Sequence, residues 1–213
     1  MDRDCAVGAT LSFPAEPRHS AAMQPEHDAQ HLSGKLLIAM PGMGDPRFDR
    51  SVVFLCAHSG DGAMGLIINK PRPELTFSDL LVQLRMAGGP GGHDIGVHFG
   101  GPVEHGRGFV LHTADYSRNR STLRVDGSFG LTSTLDVLED ISRGDGPEKS
   151  LLALGYAGWG PGQLEGELGR NGWLTCDASP EIVFSDADGS KWGRALKLLG
   201  IDPLTLSAVA GRA

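Results

Sequence analysis

Three short apolar runs around one Asp-Pro step constrain the fold of this chain more than any other feature. They occupy residues 36–40, 52–57 and 64–68, within the segment 34–71. Each run is too short for an ordinary helix and is bounded by Gly, Pro or Asp, as buried strands are. Between the first two lies Asp45-Pro46, a preferred N-cap residue followed by the residue favoured at the first helical position. The segment therefore predicts three strands, with a short helical turn beginning at Asp45.

The later part of the chain mixes helical and strand patterns. Thr76 and Asp79 have the spacing of a capping box, and Ser133 with Asp136 repeats that spacing ahead of a second helix that buries Leu135. The apolar run 151–156 fits a central strand and leads through a Gly-rich turn into another helix. Strands outnumber helices and come in runs, so the pattern favours an α+β fold with a mixed sheet.

The last long helix is predicted to start near Ser190 and to be amphipathic. Trp192 and Leu196 belong to its apolar face. Its charged residues are predicted to face solvent, and they are Lys191, Arg194 and Lys197. Asp202-Pro203 then has the pattern of a cap and first turn of a short closing helix.

Length and composition indicate one domain behind an N-terminal extension. A chain of 213 residues with 40% hydrophobic residues is long enough to bury a core without disulfides or metals. Residues 1–31 show no sustained periodicity and predict a disordered extension, and residues 32–213 predict the folded domain. No apolar run approaches the roughly 18 to 20 residues of a membrane span, so no membrane association is predicted.

The charge balance disfavours direct binding to DNA. The net charge is -7, and the part that follows the extension is also acidic. An acidic surface repels phosphate backbones unless one face is locally basic. The candidates for such a face are Arg118, Arg120 and Arg124 beside Tyr116, together with the charged face of the last helix. Neither lies in a recognisable helix-turn-helix.

Cysteine usage predicts a reducing compartment. The chain has three cysteines, an odd number, and no C-x-x-C pair. This pattern fits neither a disulfide framework nor a zinc knuckle. We therefore predict a cytoplasmic protein.

Several separated motifs span nearly all of residues 32–213. They are Met40-Pro41, Asp45-Pro46-x-Phe48-x-Arg50-Ser51-Val52, Cys56-x-His58, Gly62-Ala63-Met64-Gly65 with Asn69-Lys70-Pro71, Gly100-Gly101-Pro102-Val103, Leu111-His112, Gly155-Tyr156-Ala157-Gly158-Trp159 with Gly162-Gln163-Leu164-Glu165, and Val209-Ala210-Gly211. Together they resemble the AlgH/YqgE family of bacterial proteins. The resemblance implies a single α+β domain whose mixed, bifurcated sheet is folded toward a pseudo-barrel with flanking helices. It also implies a role in transcriptional regulation, with no agreed biochemical activity.

Two groups of residues within these motifs are candidates for chemistry. Arg50 is expected either to clamp an anion or to pair with Asp45 or Asp49. Cys56 and His58 are two apart in a predicted strand, so their side chains are expected on the same face, where a thiol could be activated by an adjacent base. The alternative, which we favour, is a buried apolar cysteine beside an edge imidazole.

Metal and nucleotide sites are weakly indicated. His93, His98, His105 and His112 have no ligand-like spacing, so no metal is predicted, and His112 is expected to act through hydrogen bonds. The Gly-rich turn at 155–162 lacks both the P-loop ending and the dinucleotide spacing. We favour a packing role for its glycines and predict no cofactor.

The sequence thus favours a non-catalytic regulatory or interaction protein. It would act through an unknown protein or small-molecule partner and affect expression indirectly. The alternative is an enzyme or nucleotide-binding protein with a pocket near the strand ends, lined by Arg50, His58, Asn69 and His112. Direct promoter binding is the third and least favoured hypothesis, and homo-oligomerisation is left open.

Overall fold

A computed structural model describes residues 32–86, 88–89, 92–117 and 121–206. Within these ranges the chain forms a nine-stranded sheet in the order β6-β7-β5-β8-β3-β2-β1-β9, with β4 beside β8. The strands are β1 (Lys35–Ala39), β2 (Val52–Ser59), β3 (Gly62–Ile67), β4 (Val97–Phe99), β5 (Val103–Thr113), β6 (Thr122–Arg124), β7 (Phe129–Thr132), β8 (Ser150–Trp159) and β9 (Trp173–Asp177). The helices are α1 (Phe77–Gln83), α2 (Leu135–Arg143), α3 (Gln163–Gly169), α4 (Pro180–Val183) and α5 (Asp188–Leu198), with 3-10 turns at Pro46–Phe48 and Pro203–Thr205.

Strand β8 is the branch point of the sheet. Along one edge it pairs with β5. Along the other edge residues 152–154 pair in parallel with β4, and residues 157–159 pair antiparallel with β3. Gly155 lies at the change of partner with a φ of +75°. A Cβ there would approach the carbonyl oxygen of Gly101 to 2.6 Å, so the branch requires glycine. The predicted α+β class, the single domain and the bifurcated mixed sheet, curled into a half-barrel, are confirmed, and so is the packing role of this glycine.

Both faces of the central strands are buried, which explains why the first three runs are almost continuously apolar. Leu36 and Phe54 belong to a first core, which α4 and α5 cover. Leu37 and Val53 belong to a second core on the opposite face, where α3 packs. Burial of each such side chain stabilises the fold by roughly 1.5 to 3 kcal/mol. The three predicted strands are confirmed, with ends that differ by one or two residues.

The predicted capping residues of α1 and of the first 3-10 turn are confirmed, and the predicted capping residue of α2 is wrong. The capping box of Thr76 and Asp79 is present at α1, and Asp45 caps the turn Pro46–Phe48 through the backbone N–H of Arg47. Helix α2 instead has Thr134 at its N-cap, where the described residues provide no side-chain capping bond. Leu135 is the first residue of the helix and is 46% exposed, whereas Leu138 and Ile141 of the same helix are buried.

Helix α5 also differs from its prediction. It begins at Asp188, and Lys191, which we placed on the solvent face, is only 1% exposed. The Lys191 ammonium donates to the carbonyl oxygen of Ile68 at 2.7 Å and pairs with the Asp188 carboxylate at 2.8 Å. The residue that follows β3 therefore supplies a carbonyl that helical periodicity alone does not reveal. Asp202 caps the closing turn as predicted.

Other predictions fall outside the described ranges. They concern the extension 1–31 and the arginines Arg118 and Arg120. Within the described ranges no helix combines the length and the apolar character needed to cross a membrane.

Candidate functional site

A cleft of about 540 Å³ opens between the loop 42–48, the end of β8, helix α3 and the start of β9. We call it the tryptophan cleft. Its lining includes Met43, Asp45, Arg47, Phe48, Pro102, Trp159, Gln163, Glu167, Arg170 and Trp173.

Glu167 holds both tryptophans of the cleft in place. The indole nitrogens of Trp159 and Trp173 donate to the same Glu167 oxygen, Oε2, at 2.9 and 2.8 Å. The side-chain amide of Gln163 donates to the other oxygen, Oε1, at 2.9 Å, and the Gln163 oxygen accepts from the backbone N–H of Gly160. Gln163 and Glu167 are four residues apart, so α3 presents them on one face. One carboxylate thus ties the end of β8 to the start of β9.

The aromatic rings of the cleft pack edge to face. The ring centroids of Trp159 and Trp173 are 5.9 Å apart, and those of Phe48 and Trp173 are 5.6 Å apart. The two tryptophans are 7% and 2% exposed, whereas Phe48 and Met43 are partly exposed. Such aromatic pairs add about 0.5 to 1.5 kcal/mol beyond area burial. The accessible apolar wall is therefore formed by Phe48 and Met43 against a fixed tryptophan pair.

Glu167 stays ionised despite its partial burial. Burial raises its pKa, but the hydrogen bonds from Gln163, Trp173 and Trp159, together with the charge of Arg170, outweigh that effect and lower the pKa below its ordinary value. The cleft therefore contains a fixed negative charge at neutral pH.

The rim of the cleft carries a closed ion pair. The Arg47 guanidinium bonds the Asp45 carboxylate through Nε and Nη2, with Nη2 and Oδ2 2.6 Å apart. These bonds lower the pKa of Asp45. The Asp45-Pro46 step is thus a helical turn, as predicted, and Arg47 rather than Arg50 is the partner of Asp45.

Arg50 and Asn69 meet at one turn outside the cleft. Asn69 accepts the backbone N–H of Val52 at 2.8 Å and donates to the carbonyl of Arg50 at 2.9 Å. The Arg50 guanidinium lies 5.6 Å from the ring centroid of Trp192. Arg50 also has a φ of +49°, and the Asn69 amide holds that conformation. Their observed contacts stabilise the entry into β2.

A bulge in β2 separates Cys56 from His58. The register against β3 shifts between Leu55 and Ala57. Cys56 packs in the first core, and burial raises the pKa of its thiol well above the ordinary value. The His58 ring instead accepts from the backbone N–H of Leu32 and bonds the Glu165 carboxylate at 2.8 Å. The structure therefore does not pair this thiol with this imidazole.

His112 is fully buried in a network of hydrogen bonds. Its Nδ1 bonds the carbonyl of Thr113 at 2.8 Å, and its Nε2 bonds the Thr132 hydroxyl at 2.9 Å. Since a carbonyl only accepts, Nδ1 carries the proton and Nε2 accepts from Thr132. Burial lowers the His112 pKa, which favours this neutral form.

The structure therefore gathers Arg50 and Asn69 at one turn and places His58 and His112 elsewhere. None of the four lines the tryptophan cleft. Within the described ranges, no group of three or more His, Cys, Asp or Glu side chains could hold a metal ion. Sequence reasoning missed Trp173 and Glu167. The available signal was a pair of tryptophans that flank a short helix with Gln163 and Glu167 four residues apart.

Comparison with known proteins identifies relatives over most of the chain. A family model described as AlgH-like matches residues 36–204. A UPF0301 protein of Cereibacter sphaeroides is 60% identical over 182 residues, which cover 85% of this chain and 99% of the relative. A UPF0301 protein of Bradyrhizobium diazoefficiens is 50% identical over 206 residues, which cover 93% and 96%.

Solved structures agree with the fold. The solution structure of the AlgH protein from Pseudomonas aeruginosa superposes with a TM-score of 0.70 at 40% identity, and the match covers 89% of this chain and 98% of that one. A crystal structure of a Corynebacterium diphtheriae protein superposes with a TM-score of 0.66 at 21% identity, covers 85% and 92%, and supports the fold alone.

Proposed function

The chain belongs to the AlgH-like family, and from that premise we propose that it is a regulatory protein that binds a small ligand in the tryptophan cleft. In this proposal the protein with its ligand bound acts in the cytoplasm. It affects gene expression indirectly, through a partner protein. The enzyme alternative stays a prediction, since its four predicted residues do not converge on one cavity.

The observation that carries the proposal is the Glu167 carboxylate bonded to both indoles. It fixes two aromatic side chains before any ligand arrives, so the ordering cost of binding is reduced. The volume of about 540 Å³ lies within the range of small-molecule sites.

The family motifs support the same location. Three motif segments that are far apart in sequence contribute to the lining, namely Asp45 with Phe48, Pro102, and Gly158-Trp159 with Gln163. A packing role alone would not require them to surround an open cavity. Their convergence supports a shared function at the cleft.

The pairing of surface cations supports indirect action. Among the described residues, several exposed Lys and Arg side chains are paired with carboxylates, including Lys35 with Asp177, Arg47 with Asp45, Arg72 with Glu74 and Arg143 with Glu139. A Lys or Arg side chain that is already paired with a carboxylate displaces few counterions from DNA phosphates, so it adds little to the affinity for DNA. The cytoplasmic assignment is supported by Cys56 and Cys176, which are both buried free thiols.

A thermal-shift screen with a blocked cleft tests the proposal. Gly44 lines the cleft, and a Cβ there meets nothing within 4 Å. Gly44→Phe therefore adds a bulky ring to the lining of the cleft without a backbone clash, and Gly60→Phe, at an equally open position in the β2–β3 turn, is the matched control. A panel of nucleotides, amino acids and thiol metabolites is screened against all three proteins.

We expect at least one compound to raise the melting temperature of the wild type and of Gly60→Phe, but not of Gly44→Phe. A compound at 100 times its Kd stabilises the folded state by about 2.7 kcal/mol. Equal stabilisation of Gly44→Phe, or no hit in the panel, would contradict binding at the cleft. Retardation of promoter DNA in a low-salt gel shift would contradict indirect action.

A further inference from the structure

The charges of the tryptophan cleft point to a ligand class. Among the described residues, four ionisable side chains line it, namely Asp45, Arg47, Glu167 and Arg170. Asp45 and Arg47 neutralise each other. The charges left for a ligand are therefore those of Glu167 and Arg170.

Glu167 has acceptor capacity to spare. A carboxylate has about four lone-pair sites. Oε2 accepts two indole N–H groups, and Oε1 accepts the Gln163 amide. One lone-pair site on Oε1 therefore remains without a donor from the described part of the chain. All three donors are neutral, so within the described residues no direct ion pair compensates the negative charge of Glu167. A cationic donor would complete the shell and neutralise it.

Arg170 provides the opposite charge at the mouth of the cleft. It lies three residues after Glu167, and its side chain is exposed. Its charge lowers the Glu167 pKa, yet its guanidinium forms neither a hydrogen bond nor an ion pair with any residue that the structure describes. A guanidinium presents five N–H donors in a fork that matches a carboxylate.

The walls between these two charges are apolar. Phe48 and Met43 expose part of their side chains to the cleft. Both indole N–H groups are occupied by Glu167, and Trp159 and Trp173 are only 7% and 2% exposed, so they fix the carboxylate while Phe48 and Met43 provide the accessible apolar surface.

On the basis of the proposed function, we infer that the tryptophan cleft binds a zwitterionic amino acid. The ammonium bonds Oε1 of Glu167 beside the aromatic rings, the carboxylate meets the Arg170 guanidinium at the rim, and the side chain packs on Phe48 and Met43. Each charge of the ligand thus has a designated partner of opposite sign.

Calorimetric titration of the full chain tests this inference. The twenty standard L-amino acids are titrated first, followed by the matched amine and acid of the best binder. For L-phenylalanine these are phenethylamine and 3-phenylpropionate. We expect the amino acid to bind at least about tenfold tighter than either analogue, since each analogue loses one charge-assisted bond.

Two variants assign the charges. Arg170→Gln, at an exposed position, should weaken the amino acid about tenfold and leave the amine unchanged. Glu167→Gln should weaken the amino acid and the amine but not the acid, and circular dichroism and the melting temperature establish that it folds. The inference is overturned if no amino acid binds, if both analogues bind as tightly as the amino acid, or if Arg170→Gln weakens the amine equally.

The outcome also separates this inference from the proposed function. If other compounds of the thermal-shift panel bind and Gly44→Phe abolishes their effect, while amino acids do not bind, the cleft functions with another ligand class. If no compound binds at all, both proposals fail.

Discussion

Replacement of Lys191 by methionine should destabilise the domain more than any change on the exposed face of α5. The substitution keeps the length of the side chain but removes the ammonium. Among the residues that the structure describes, the Asp188 carboxylate, which is 15% exposed, would then keep only His98, at 3.0 Å, as its side-chain partner, and the carbonyl of Ile68 would lose the Lys191 donor. Breaking a buried ion pair costs roughly 3 to 5 kcal/mol. Because His98 still bonds Asp188, we expect the lower end, about 3 kcal/mol.

Urea unfolding, followed by tryptophan fluorescence, measures this loss. With a slope of about 1 to 3 kcal/mol per molar urea, the midpoint should fall by at least about 1 M. Lys197→Met is the control, since Lys197 lies on the same helix and is exposed, and it should change the free energy of unfolding by less than about 0.5 kcal/mol. Adding Asp188→Asn to Lys191→Met should recover part of the loss. A Lys191→Met protein within about 0.5 kcal/mol of wild type would refute the reasoning, because desolvation would then cancel the ion pair.

Three further predictions concern the core. Because burial lowers the His112 pKa, the unfolded chain binds a proton that the folded state does not, so the free energy of unfolding should fall as the pH drops below the ordinary histidine pKa of 6.5. In urea titrations between pH 5 and 7, His112→Gln should reduce the dependence of this free energy on pH, by at most about 1.4 kcal/mol per pH unit. An unchanged pH dependence would contradict the prediction. Gly155→Ala should destabilise the sheet by about 2 to 4 kcal/mol, through backbone strain and overlap with the carbonyl of Gly101. The control Gly169→Ala, where a Cβ meets nothing within 4 Å, should be nearly neutral. Equal urea midpoints for the two variants would show that the branch tolerates a side chain. The Cys56 thiol should resist alkylation by iodoacetamide at pH 8 in the native protein and react only after unfolding. Peptide mass spectrometry detects the alkylated residue. Labelling of Cys56 in the folded chain would contradict the raised pKa of this thiol.

Local signals explain what could be predicted from the sequence. The capping box at Thr76 and the turn at Asp45 depend on residues three or fewer positions apart, and both are present. The first three strands are apolar throughout because both faces are covered, so their existence is visible without knowledge of their partners. The family resemblance added the bifurcation, which periodicity alone does not indicate.

Nonlocal contacts explain what could not be predicted. Lys191 is buried because its partner carbonyl belongs to Ile68, 123 residues earlier. The bulge after Leu55 breaks the two-residue alternation on which the expected pairing of Cys56 with His58 depended. The tryptophan cleft combines segments that only the fold brings together, so its acidic centre, Glu167, resembled an ordinary surface residue of a short helix.

The position of β8 has a consequence for how the chain acquires its structure. In the described sheet this strand alone joins β6, β7 and β5 to β3, β2, β1 and β9, and its partners β3, β4 and β5 all precede it in sequence. During synthesis, the first 149 residues can therefore form two separate sheets with unpaired edges, which are prone to aggregation. Translation of residues 150–159 closes both edges at once, so this late insertion is the step at which a nascent chain passes from two fragments to one cooperative unit.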